Sequence, residues 1–289
     1  MAIEVRTLRP GDESRLSAFL ETRAESSMFL RANLAAAGLV DTGAPYSGTY
    51  IGALEGGRVL GVAALFWNGN LMLQAPEHLG PILSHLSGLA VRPIRGLLGP
   101  YGQAVEARRL LGLADAPTQK DSHEDLFALD LADLAVPAPL TEGRWVARRS
   151  RDADLPQIKA WRLAANLESS SIADTPELRA EVEEFVERNH CERVWWVLET
   201  EGRLVAMSNF NARIPDTVQI GAVYTPPDLR GKGYARASVA GSLLAARAEG
   251  VTRSILFTGR TNIPAQKAYR AIGFRVVGDY ALIAFDARL

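Results

Sequence analysis

The spacing of apolar residues along the chain switches between two periods in a recurring order. Short alternating runs from Ile3 to Arg9 and from Trp145 to Ser150 read as half-buried strands. Each is followed by a polar cluster, Pro-Gly-Asp-Glu or Arg-Asp-Ala-Asp, the signature of a strand entering a helix. In the second half the period predicts a helix from Leu155 to Ala165, with Asp154 as its cap, and another from Pro176 to Arg188. Thr175 caps the latter, and proline in its first turn loses nothing by lacking an N–H. Val194 to Glu199, Leu204 to Asn211 and Thr217 to Thr225 predict three consecutive strands of an antiparallel meander. A helix from Ala235 to Glu249 ended by Gly250, a strand from Ser254 to Thr258, a helix from Asn262 to Ala271 and a last strand pair from Phe274 to Phe285 complete the pattern. That order predicts an α+β domain with a mixed sheet.

A break at Ala135-Val-Pro-Ala-Pro-Leu-Thr-Glu-Gly143 divides the chain near Leu140, giving domains at 1–138 and 143–289. The halves share an outline. Glu55-Gly-Gly-Arg-Val-Leu-Gly-Val-Ala63 echoes Thr200-Glu-Gly-Arg-Leu-Val-Ala-Met-Ser208 at a similar distance from each domain start. Each is a tight turn between two apolar strands, and together they point to a diverged internal duplication; chance similarity of common hairpin sequences is the plainer alternative.

Composition removes several classes of function. At 289 residues the length suits two domains, and 47% hydrophobic with 22% charged residues supplies two cores without metal or disulfide support. A net charge of −1 with no long basic run argues against a nucleic-acid or anionic-membrane partner. The single cysteine, Cys191, excludes an internal disulfide framework, and the first residues lack the pattern of a signal peptide, so a cytoplasmic location is expected. No apolar stretch approaches the roughly 20 residues that span a bilayer. Four scattered histidines give no zinc spacing, although His78 and His85 fall in a predicted helix, and no metal is expected. Cys191 beside His190 reads as an incidental thiol more readily than as a nucleophile.

Chemistry concentrates in Val223-Tyr-Thr-Pro-Pro-Asp-Leu-Arg-Gly-Lys-Gly-Tyr-Ala235, a glycine-rich connection from strand to helix. Such a loop aims unpaired N–H groups and the positive end of the helix dipole at a ligand, so the backbone of Gly231, Lys232, Gly233, Tyr234 and Ala235 forms a phosphate nest. Spacing rules out the nucleoside-triphosphate loop, because Lys232 is followed by Gly233 and Tyr234 rather than by serine or threonine. The dinucleotide pattern begins at Gly231 and Gly233 but meets Arg236 at its third position.

At these residues the chain resembles the GCN5-related N-acetyltransferase (GNAT) family, whose Arg/Gln-x-x-Gly-x-Gly/Ala motif is met by Arg230, Gly233 and Ala235. Val223, Pro226, Asn262, Tyr269, Gly273 and Phe274 fit the surrounding pattern, and the similarity covers most of 144–289. The first half has the same coarse order without the loop, since Asn70-Leu-Met-Leu-Gln-Ala runs into Pro-Glu-His-Leu-Gly-Pro. It resembles a degenerate copy. The resemblance implies two acyl-CoA N-acyltransferase-like domains, each a mixed, mostly antiparallel twisted sheet flanked by helices, with one site for acetyl-CoA.

The resemblance assigns the pyrophosphate to the Gly231–Ala235 nest, helped by Arg230 and Lys232, and the pantetheine arm to the main chain of Val223, Tyr224 and Thr225. Lys232 also reads as a solvated loop residue, and Asn262 as either a cofactor contact or a plain helix cap. Tyr269 matches the family's tyrosine, which protonates or hydrogen-bonds the departing sulfur; as a core tyrosine it would be unremarkable. A base is not evident: Gln219 and Tyr224 occupy the strand where the family often places a glutamate, and Glu199 reads as surface charge. Trp195 and Trp196 must face opposite sides of a strand, one toward the core and the other toward a cleft between domains. Ser26 to Leu34 falls where the family often has a helical substrate lid. The implied activity is transfer of an acetyl or longer acyl group to a primary amine of a small molecule or protein, and the alternative is a CoA-binding regulatory or interaction module. The acceptor and the oligomeric state are not encoded in these motifs.

Overall fold

The first six strands and four helices follow one another as β1 (Ile3–Thr7), α1 (Glu13–Glu21), α2 (Met28–Ala37), β2 (Gly48–Glu55), β3 (Arg58–Phe66), β4 (Asn70–Gln74), α3 (Leu79–Leu89), β5 (Gly96–Gly99), α4 (Tyr101–Leu110) and β6 (Thr118–Asp130). A single turn of helix, α5 (Ala138–Thr141), leads into the same order again: β7 (Val146–Arg149), α6 (Leu155–Ser169), α7 (Pro176–Cys191), β8 (Trp195–Thr200), β9 (Arg203–Arg213), β10 (Thr217–Tyr224), α8 (Tyr234–Ala248), β11 (Arg253–Gly259), α9 (Ile263–Arg270) and β12 (Arg275–Phe285). The computed structural model describes residues 2–89, 91–169 and 172–286. No described helix is long and apolar enough to cross a membrane.

By contact the chain groups into two compact units, one running to Leu126 and including the residues from Val277 on, the other spanning Phe127–Val276. In the first, the strand order is β1-β2-β3-β4-β5 followed by β12 from Val277 on; in the second, β7-β8-β9-β10-β11 is followed by the end of β6, residues 127–130. Residues 277–285 of the second half's last strand thus group with the first unit, and residues 127–130 of the first half's last strand with the second. β1–β2, β2–β3, β3–β4, β5–β12, β7–β8, β8–β9 and β9–β10 pair antiparallel, while β4–β5 and β10–β11 pair parallel, with a helix making the crossover that parallel strands require.

Local chemistry repeats between the units. The β2–β3 turn places Gly56 and Gly57 at positive φ, and the β8–β9 turn does the same with Glu201 and Gly202, as a two-residue hairpin matched to strand twist demands. Arg6 binds Asp12 through two bonds of 2.6 and 2.9 Å, and Arg148 binds Asp154 at 2.6 and 3.1 Å. Each aspartate also accepts from a backbone N–H three residues earlier, Arg9 or Arg151. Both pairs tie a unit's first strand to the start of its first helix.

Four local expectations are corrected. The segment from Phe274 to Phe285 is not a strand pair but one strand, β12, because Gly278 keeps an extended backbone and Ala281–Ala284 ladder against β5. Asp154 does not cap α6; it closes the preceding 3-10 turn while held by Arg148. Trp195 and Trp196 do face opposite sides, but both are buried in the second unit's own core, in separate clusters. His78 precedes α3 at positive φ, leaving only His85 on that helix. Cys191 is exposed at the end of α7, and Ser26 and Ser27 donate to Gln74 at the start of α2.

Candidate functional site

β10 is interrupted at the end that leads into the glycine loop. Gly221 pairs with Asn209 and Tyr224 with Met207, so Ala222 and Val223 stand opposite a single residue, Ser208. This is a β-bulge, and Ala222 adopts φ of 45° to make it. A left-handed alanine is strained by about 1 kcal/mol, and such strain persists only where neighbouring structure enforces it. A second register shift leaves Asn211 of β9 extra, its side chain lying over Gly221 so closely that any Cβ there would collide with it. On its other side β10 ladders with β11 only from Thr217 to Gln219. Beyond that point the parallel strands part, and the main chain of 220–224 lies outside the β10–β11 ladder. The Gln219 amide turns back to donate to the Ile220 carbonyl at 2.9 Å, at the point of separation.

Pro226 and Pro227 then stop the strand, and a short 3-10 turn brings the chain to Arg230. Gly231 and Gly233 sit at φ of 78° and 86°, a conformation that glycine adopts without cost. Gly233 is the N-cap of α8 with no side-chain cap, so the first-turn N–H groups are presented to a ligand. The space above Gly231 is open, and the Arg236 guanidinium lies against Gly233. Arg236, which the sequence pattern marked only as a mismatch, thus joins Arg230 and Lys232 around the nest. Lys232 is exposed. Tyr234 turns its ring to Trp145, with centroids 5.0 Å apart, leaving its backbone at the loop. Ala235 follows it in the first turn of α8. The two positive-φ glycines, the uncapped helix and the three cations fit a pyrophosphate.

At the strand end the structure brings in a residue that sequence reasoning missed. Tyr224 donates to Glu168 of α6 at 2.9 Å, and Glu168 also accepts from Arg230 at 2.6 Å. Arg230 donates in turn to the Thr225 carbonyl. Burial and the Glu168 hydrogen bond raise the Tyr224 pKa, keeping its hydroxyl a donor. Thr225 is buried, and its hydroxyl lacks a partner among the described residues. Tyr269 lies on α9, 7% exposed, edge-on to Phe127 and Phe274, in a cluster against which Val223 packs. Asn262 caps α9, accepting from the Ala265 N–H at 3.3 Å. Glu199 is engaged by Arg148.

A family model described as Acetyltransferase (GNAT) family matches residues 155–274, the stretch holding the bulge, the loop and Tyr269. The second half of the chain belongs to the GNAT family. Solved structures match over the whole length of the chain. A Drosophila protein matches with a TM-score of 0.68 at 15% identity, covering 99% of both chains. A GCN5-related N-acetyltransferase from Sphaerobacter thermophilus matches at 0.56 and 14%, over 97% of this chain and 94% of that one. A tandem GNAT protein from the clavulanic acid biosynthesis pathway matches at 0.52 and 15%, over 98% and 97%. At such identities the likeness is one of fold: α+β, in a tandem GNAT-like arrangement. No curated protein matches the chain.

Proposed function

We propose that the chain is an N-acyltransferase that moves an acetyl or longer acyl group from acyl-CoA to a primary amine, with one donor site, in the 143–289 domain. The observation that carries this reading is the continuity of three features: a parted β10–β11 pair, a strained bulge at Ala222, and an uncapped helix behind Gly231 and Gly233. The main chain of Val223, Tyr224 and Thr225 is suited to bind the amide-bearing arm as a strand would. The N–H groups from Gly231 to Ala235 would hold the pyrophosphate, with Arg230, Lys232 and Arg236 adding charge. Asn262, spent on its cap, contributes through helix placement.

Direct transfer forms a C–N bond as the C–S bond breaks. Glu168 is the carboxylate held at the end of β10, and we assign it the proton that the attacking amine loses. Arg230 leaves Glu168 for the phosphates when donor binds, so the carboxylate is released as the site fills. Tyr269 gives a proton or a hydrogen bond to the departing sulfur. Among the described residues of the 1–138 domain no strand-to-helix loop repeats Gly231 and Gly233, and we assign that domain no donor.

Thiol release from acetyl-CoA across an amine panel tests the reading. Release is expected with at least one amine class, and Tyr269→Phe is expected to lower kcat by about tenfold or more with donor affinity unchanged. Tight donor binding with no release for any amine would favour the CoA-binding module instead.

A further inference from the structure

Cations on the two helices that cover one face of the second unit's sheet are matched to carboxylates, with one exception. Lys159 binds Glu183 and Glu187, Arg179 binds Asp174, and Arg188 reaches Glu184. Arg162, on α6 between them, has no hydrogen bond and no ion pair among the described residues. Its guanidinium stacks over the Phe185 ring at 5.0 Å, and Arg188 approaches the same ring at 5.8 Å. Desolvation lowers the Arg162 pKa, although part of the side chain stays accessible.

An unpaired cation among apolar groups costs several kcal/mol, and a cation–π contact recovers about 2 of them. A partner anion would recover the rest. A second observation on the same face also calls for a polar partner. Trp195, Asn209 and Gly221 stand in register across β8, β9 and β10, so they share one face, and Trp195 packs with α6 and α7. Gln219 lies two residues before Gly221 on that side. Both amide atoms of Asn209 and the Gln219 oxygen are buried without hydrogen-bond partners among the described residues.

We propose that the acceptor is an amine that also carries a carboxylate, of the amino-acid type, with Arg162 as the charge partner of the carboxylate and Asn209 and Gln219 supplying uncharged polar contacts on the sheet beneath. This rests on the acyltransferase reading above. A guanidinium discriminates between a carboxylate and a carboxamide by charge-assisted bidentate bonding, which a carboxamide cannot return.

The experiment compares free amino acids with their carboxamides as acceptors, using the full chain, acetyl-CoA, and the variants Arg162→Gln and Arg162→Lys. The acids are expected to be favoured in kcat/KM by about tenfold or more. Arg162→Gln should erase that preference by raising KM for the acids, while KM for the carboxamides and for acetyl-CoA stays put; Arg162→Lys should retain part of it. Equal use of the carboxamides, or a preference that survives Arg162→Gln, would overturn the assignment. If acetyl-CoA binds but no amine turns over, the acyltransferase reading fails. Arg162 is then judged by binding alone: a thermal shift from amino acids, absent with carboxamides and lost in Arg162→Gln, supports the carboxylate site, and no such difference ends it.

Discussion

Single residues carry two kinds of information here, and only one kind is local. Gly231 and Gly233 are visible in the sequence because the left-handed backbone they adopt demands glycine. The strained Ala222 is invisible, since its φ is set by two residues of β10 facing one of β9, a count that no single strand reveals. The Arg6–Asp12 pair shows how a residue-scale device repeats with the fold. Arg6 holds the Asp12 carboxyl well below the usual carboxylate range. A depressed folded-state pKa contributes stability that is complete above the unfolded pKa, near 3.9, and is lost as pH falls toward the folded value. Asp12→Asn should therefore cost about 2 kcal/mol at pH 7 by urea denaturation, and the gap from the parent should narrow below about pH 4. A gap that holds constant down to pH 2 would show that the charge is not the source. Glu168 marks the limit of motif reading: it lies 56 residues before Tyr224, and nothing in its own neighbourhood distinguishes it from the glutamates of α7.

Elements were legible where period and punctuation agreed. The helices behind Thr175 and Asn262 begin where those caps put them, with side-chain acceptors at 3.2 and 3.3 Å from Leu178 and Ala265. The alternation from Val194 to Thr225 gave the meander. The C-terminal element was misread because Gly278-Asp279 carries the local chemistry of a turn, whereas ladder bonds and burial of Ala281, Ile283 and Phe285 hold β12 extended. Propensity yields to tertiary pairing when a strand's other face is buried. Ile283 is 3% exposed in the first unit's core, so Ile283→Asp should cost about 3 kcal/mol or more. Hydrogen exchange should then accelerate across β5 and α4 while β9 and β10 keep their protection. Equal acceleration in both sets would mean that β12 does not belong to the first unit in the way its contacts indicate.

For the whole molecule, the repeated order of ten elements, the paired hairpin turns and the paired arginine–aspartate ties make the duplication a structural fact rather than a chance likeness of short sequences. The glycine loop is not repeated among the described residues of the first unit. β4 of the first unit runs into α3 through His78 at positive φ, where the second unit has two prolines, two positive-φ glycines and an uncapped helix. The central claim is accordingly one acyl-CoA site per chain, built on the loop that follows β10. Calorimetric titration of the full chain with acetyl-CoA tests it most directly. The account predicts one site per chain, lost in Gly233→Glu with the urea midpoint preserved, because a side chain at that position fills the nest and places a negative charge against the phosphates. Two sites per chain, or undiminished binding to a folded Gly233→Glu variant, would contradict it.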